Sequence, residues 1–227
     1  NYISVGTSAG LSNAQASLWI LKTNTMGSVL WGKGYGLGGD EDGADIIEIN
    51  GSYYAYGYGT GYLGYTVPWV VKVDKNGTLV WAKIIKAPVG GGNCRTILKS
   101  GEDKLVLTYE ASYNSSSANS AKSDICITVI DTNGTNIWSK KYLSPTFNKV
   151  GETRIDNIEN IYFSGFLDQD TSYRFVGDIN EAMPYITKLN NNGNVIWSKG
   201  MLDTSIYFSP LLESPLSNNF VVKNDNI

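Results

Sequence analysis

The chain has 227 residues, 42% of them apolar, which is enough for a packed core, and its 18 basic and 21 acidic residues give a formal charge of −3. It shows no basic run or stripe that would suit nucleic acid or an anionic membrane surface, and no apolar run near the roughly 20 residues that span a bilayer. Histidine is absent, which removes the commonest general base and metal ligand, and 15 Tyr and 25 Gly beside only 17% charged residues suit a secreted or cell-surface β protein.

From the N terminus, "NYISVGTSAG" (1–10) reads as a strand, and with no initiating Met before it the chain is expected to be a processed product or a segment of something longer. The phrase "WILKTNTMGSVLWGK" from Trp19 follows, two strands around a tight turn. Nearly the same phrase returns as "WVVKVDKNGTLVWAK" from Trp69, "CITVIDTNGTNIWSK" from Cys126 and "YITKLNNNGNVIWSK" from Tyr185. Its turns offer Asp or Asn to bond nearby backbone, then Gly where φ is positive: Gly27, Gly77, Gly134 and Gly193. Four residues after each glycine stands a tryptophan: Trp31, Trp81, Trp138 and Trp197, at intervals of 50, 57 and 59 residues. Such a period, with several short strands per unit, marks a propeller or array. Within a unit the strand period predicts strict alternation, with Leu79, Trp81 and Lys83 on one face.

A second hairpin lies between successive phrases. It turns at Asn50-Gly51, near Ser100-Gly101 and near 157–160, and the pattern recurs in "PLLESPLSNNFVVKN". Each unit is thus four antiparallel strands whose faces are buried only by stacking on neighbours. The units fall near 1–36, 37–86, 87–143, 144–202 and 203–227, the last partial. Counting strands gives one more than four blades need. Either a four-bladed ring closes with a spare strand, or 1–227 is a single domain that forms part of a larger ring.

The tryptophans read as packing between blades. The lysine two residues beyond each one (Lys33, Lys83, Lys140, Lys199) reads as a stem laid over the ring with its ammonium in water. Cys94 and Cys126 belong to strands 1 and 3 of one sheet, roughly 9–10 Å apart, beyond disulfide reach, and are expected to be buried thiols.

The aromatic, "D-x-N-G" turn and Trp pattern, preceded by "GGDEDGADIIEINGSYYAYGYGTG", resembles the repeats of secreted bacterial and archaeal β-propeller proteins of the quinoprotein-like and lipoprotein-like kinds. The resemblance covers essentially the whole chain. It implies a propeller fold and, less specifically, a surface protein. The third unit departs most, with Cys126 for the first Trp and Val129 for Lys.

In an up-and-down blade the 1–2 and 3–4 turns share one face and the 2–3 and 4–1 connections share the other. The first set is short. The second is long, and its 2–3 loops are predicted over 60–67, 110–123 and 168–183. These connections carry Tyr35, Tyr62, Tyr65, Tyr113 and Tyr173 among small polar residues, a composition suited to recognising a glycan or protein surface. "DEDGAD" spaces Asp40, Asp42 and Asp45 like part of a calcium loop without its remaining ligands, so Ca2+ is weighed there against a structural role at the blade start; no other cofactor is implied. Three functions compete: a cell-surface binding or structural module for a protein or glycan, a propeller enzyme or quinoprotein-like cofactor binder, and an architectural subunit of a surface filament or sheath. The first is favoured, with no catalytic residue assigned.

Overall fold

The structure is a computed structural model, described over residues 1–8, 16–36, 38–59, 66–85, 92–112, 123–142, 148–168 and 182–200. Fifteen strands are present there: β1 (Tyr2–Ser8), β2 (Ser17–Thr23), β3 (Val29–Tyr35), β4 (Glu41–Ile49), β5 (Ser52–Gly59), β6 (Val67–Val73), β7 (Leu79–Ile84), β8 (Gly92–Ser100), β9 (Lys104–Ser112), β10 (Ser123–Asp131), β11 (Asn136–Tyr142), β12 (Asn148–Ile155), β13 (Ile161–Asp168), β14 (Ala182–Leu189) and β15 (Val195–Gly200). They pair in chain order into one three-stranded sheet, β1-β2-β3, and three four-stranded sheets, β4 to β7, β8 to β11 and β12 to β15. All pairings are antiparallel. By its pairing with β2, β1 corresponds to β5 and so takes the second place in a blade. The partial unit 203–227 lies outside the described residues.

The turns form because their side chains do part of the backbone's work. In the β6–β7 turn the Asp74 carboxylate accepts the amides of Asn76 and Thr78, each at 2.8 Å, and Gly77 closes the turn at φ 72°. Asn24, Asp131 and Asn190 repeat the arrangement. The inner hairpins turn through left-handed residues too: Asn50 and Gly51 at φ 51° and 75°, and Glu159 at φ 63°.

Consecutive sheets stack face to face as propeller blades, converging on β4, β8 and β12. Three apolar clusters fill the three joints. Leu18 and Ile20 of blade 1 meet Tyr53, Ala55, Trp69, Val71 and Val73 of blade 2. The other face of blade 2, with Tyr54, Tyr56 and Val70, meets Cys94, Ile97, Leu105, Leu107 and Tyr109 of blade 3. Val106, Ile125, Ile127 and Val129 then meet Val150, Phe163, Tyr185 and Leu189 of blade 4. Alternation along β5 sends Tyr53 and Ala55 one way and Tyr54 and Tyr56 the other, so the β4–β7 sheet is buried on both sides. Cys94 and Cys126 both pair with Tyr109 across β9, two strands apart, as buried free thiols. Burial pushes the Cys126 thiol up to about 12, with the nearby Asp124 charge adding to it.

At the rim, Trp31, Trp81 and Trp138 each lie on the turn of the next blade. A Cβ on Gly77 would stand 3.0 Å from the Trp31 ring, on Gly134 3.2 Å from Trp81, and on Gly193 2.8 Å from Trp138. Glycine is thus required there twice, for its φ and for its flat surface. The lysines lie beside the rings as expected, with Lys83, Lys140 and Lys199 Nζ 5.6, 5.9 and 5.6 Å from the Trp81, Trp138 and Trp197 centroids and Lys33, Lys83 and Lys199 exposed. Three of the ammonium groups also donate to the next turn, which the sequence did not suggest: Lys33 Nζ to the Asn76 and Gly77 carbonyls, Lys83 Nζ to the Asn133 carbonyl at 2.7 Å, and Lys140 Nζ to Asn194 Oδ1 at 2.7 Å. Turn carbonyls point outward with no strand partner, and a cation beside the ring is the nearest donor.

Strict alternation on the outermost strands also fails. A bulge precedes every tryptophan, at Leu30, Val80, Ile137 and Ile196, where the register with the neighbouring strand shifts by one. Leu79 and Val80 are consequently both about half exposed, at 53% and 54%. Each bulge twists an edge strand out of the flat form that invites pairing with another chain.

Candidate functional site

The short turns β2–β3, β6–β7, β10–β11 and β14–β15 leave one edge of the stack, together with the β4–β5, β8–β9 and β12–β13 turns. The connections 60–66, 113–122 and 169–181 leave the opposite edge. Strands extend further into these connections than the sequence suggests: β9 runs to Ser112, β10 starts at Ser123 and β14 starts at Ala182. Tyr62, Tyr65, Tyr113 and Tyr173 lie outside the described residues. Tyr35 does not belong to a loop. It ends β3 and donates its hydroxyl to the Gly77 carbonyl at 2.7 Å, and burial, with Asp74 nearby, pushes it up to about 12.

The acidic stretch 40–45 is not a loop either, since β4 begins at Glu41. Its aspartates diverge. Asp40 Oδ1 accepts the Ala16 amide at 2.9 Å, Asp42 Oδ1 accepts the Thr7 hydroxyl at 2.5 Å, and Asp45 accepts the amides of Ile46 and Ile97 through separate oxygens. Among the described residues no three Asp, Glu, Cys or His side chains form a group that could hold a metal. The three carboxylates are instead joints: Asp40 ties the entry of β2, Asp42 links blade 1 to blade 2, and Asp45 links blade 2 to blade 3. The divergence lies in their partners, Thr7 of blade 1 for Asp42 and the Ile97 amide of blade 3 for Asp45. Burial is the largest effect on Asp45 and raises its carboxyl, against the opposing pull of the Ile97 and Ile46 amides and of Arg154. Asp42 also accepts from Tyr58, and that hydrogen bond is the main reason the phenol is raised.

A second set of polar side chains lies at this connection-bearing end, and sequence reasoning missed it. Glu110, at the end of β9, is buried and accepts Arg95 Nη2 at 3.0 Å, Arg95 Nε at 3.3 Å and the Val150 amide at 3.1 Å through one oxygen. Arg95 stands at the bulge of β8, the same place that Ala44 takes in β4 and Gly151 and Glu152 take in β12. Glu152 pairs with Arg154, and Thr153 Oγ1 donates to Thr108 Oγ1 at 3.0 Å. Asp124, also buried, lies 3.5 Å from Lys141 Nζ. The innermost strands β4, β8 and β12 thus bulge at one level, and charged residues from β8, β9 and β12 pair around it.

Taken together, the described part of this end is a braced rim. Its charges are spent on neighbouring blades and on strand ends, and it carries the long connections as a rigid frame carries variable loops. No family model and no curated protein matches the chain. Among solved structures it is similar to Synechocystis apocarotenoid oxygenase, with a TM-score of 0.47, 10% identity, and coverage of 81% of this chain and 44% of that one. A second structure of that oxygenase gives 0.46, 11%, 82% and 44%. A glycoside hydrolase gives 0.41, 10%, 80% and 64%. The chain spans less than half the length of the oxygenase.

Proposed function

We propose that this chain is an extracellular or cell-surface binding and structural module, which recognises a protein or glycan through its connection-bearing face. The observation that carries the reading is the one-sidedness of the blades: among the described strands, those joined by more than a tight turn end at the same edge of the stack. Glu110, Asp42 and Asp45 tie neighbouring blades together at that edge, so the strand ends from which the connections leave are braced against each other. Tyrosines among small polar residues bind through aromatic surface and neutral hydrogen bonds, so moderate salt weakens such binding only slightly.

The test shortens 113–122 and 169–181 to tight turns while keeping Glu110 and Asp124. Folding is read by circular dichroism, and binding is read on immobilised surface glycans and isolated cell envelope. The expected result is a folded protein that no longer binds. Undiminished binding by the shortened protein, with loss on altering the 74–78 or 131–135 turn, would mean that the other face is the functional one.

A further inference from the structure

We propose that the two ends of the blade stack are complementary, and that blade 4 of one chain docks on blade 1 of a second copy, repeating the joint found three times within the chain. This surface is distinct from the connection-bearing face. The outer face of blade 1 has the composition of a buried face. By strand pairing Tyr2 corresponds to Tyr53 and Trp19 to Trp69. Tyr53 and Trp69 are 4% and 1% exposed inside the first joint, whereas Tyr2 and Trp19 are 64% and 38% exposed. The turn of blade 1 is likewise formed but uncovered. Asn24 Oδ1 accepts the Met26 and Ser28 amides at 2.9 Å, Gly27 takes φ 83°, and no described atom lies within 4 Å of a Cβ built on it.

The other end carries the matching half, already assembled. In the second joint, Trp81 receives the Gly134 turn with Tyr54 edge-on at 6.1 Å and Lys83 Nζ 5.6 Å over the ring. On blade 4, Trp197 has Tyr162 edge-on at 6.2 Å and Lys199 Nζ at 5.6 Å. Lys72 over Tyr54 at 5.0 Å matches Lys188 over Tyr162 at 5.1 Å. This socket takes a turn of the Asx-x-x-Gly kind, and blade 1 presents one. By analogy with Lys83 and the Asn133 carbonyl, Lys199 would donate to the Met26 carbonyl. The two halves stand at opposite ends of the described stack, and among the described residues none covers a Cβ built at Gly27 in the Asn24–Gly27 turn. A second copy therefore fills the socket through a heterologous contact, which closes into a ring or runs on as a filament according to its angle.

The experiment measures mass by light scattering on the whole chain at about 100 µM, enough to populate a micromolar complex. It adds a crosslinking arm with a short bismaleimide on the Met26→Cys, Lys199→Cys variant, in which the native Cys94 and Cys126 are buried. The expected mass is at least twice the 24.8 kDa of one chain, returning to one chain in Trp19→Ser or Trp197→Ser with circular dichroism unchanged, and crosslinks join two chains. A single-chain mass, crosslinks confined within one chain, or an assembly indifferent to both substitutions would each overturn the proposal.

Discussion

Replacing Gly193 by alanine isolates the packing of one blade on the next. The residue sits at φ 71°, and an added Cβ would meet the Trp138 ring at 2.8 Å and Tyr142 Oη at 3.0 Å. Two penalties combine. A left-handed alanine costs about 1–2 kcal/mol, and forcing a methyl into a filled contact costs about 1–3 kcal/mol more. Gly27 supplies the control, because it has the same turn and φ 83° but no described atom within 4 Å. Gly27→Ala therefore carries only the strain. Gly193→Ala should lose about 2–5 kcal/mol in urea titrations followed by tryptophan fluorescence, against about 1–2 kcal/mol for Gly27→Ala. The chain is kept dilute so that Gly27 meets no second copy. For a domain of this size each kcal/mol also lowers Tm by about 2–4 °C, which gives an independent reading. Equal losses at the two glycines would show that the tryptophans do not rest on the turns, and the account of the joints would fail.

The indoles differ among themselves. Trp31 and Trp138 donate Nε1–H to the carbonyls of Lys75 and Asn191 at 3.2 and 3.0 Å, whereas Trp81 Nε1 is buried with no partner. The cognate Thr132 carbonyl already accepts Lys72 and Tyr54. Trp138→Phe should thus cost about 1 kcal/mol more than Trp81→Phe in the same titrations. Trp81→Ala should cost about 2–4 kcal/mol, toward the lower part of the range for core tryptophans because the ring is half-buried, and a loss under 1 kcal/mol would count against blade packing. Glu110→Ala should lose about 3 kcal/mol, since it leaves the Val150 amide and Arg95 without their shared acceptor. Thermal melts should be flat between pH 6 and 8, because the chain has no histidine. Stability should then fall as pH drops through and below the ordinary aspartate value. The Thr78 amide is the main force holding Asp74 low, and amide hydrogen bonds outweigh desolvation at Asp131 and Asp156, so each stabilises the fold only while ionised. Asp45, raised by burial, works in the opposite sense, and its Asp45→Asn variant should steepen the acid loss.

The fold was largely legible because each turn writes its own rule in four residues. Asx-x-x-Gly fixes the hairpin, the interval to tryptophan fixes the outermost strand, and repetition fixes the stack. The lysine contacts were not legible, because their acceptors lie in another blade some 50 residues away, as with Lys83 and Asn133. The bulges at Leu30, Val80, Ile137 and Ile196 were also hidden, since a run such as "LVW" reads as plain strand until its register is known. Of the two roles weighed for 40–45, the carboxylate spacing along the chain suggested Ca2+, whereas the partners that make Asp42 and Asp45 structural, Thr7 and Ile97, stand in different blades where no local pattern announces them. Glu110 was missed for the same reason: its partner Val150 is a cross-blade neighbour that no local pattern announces.

Hydroxyl-radical footprinting of the chain bound to isolated cell envelope, against the chain alone, most directly tests whether function lies on the connection-bearing face. The account predicts that protection concentrates in 60–66, 113–122 and 169–181 and leaves the 74–78 and 131–135 turns unchanged. Protection of those turns, with the long connections labelled as strongly as in the unbound chain, would contradict it.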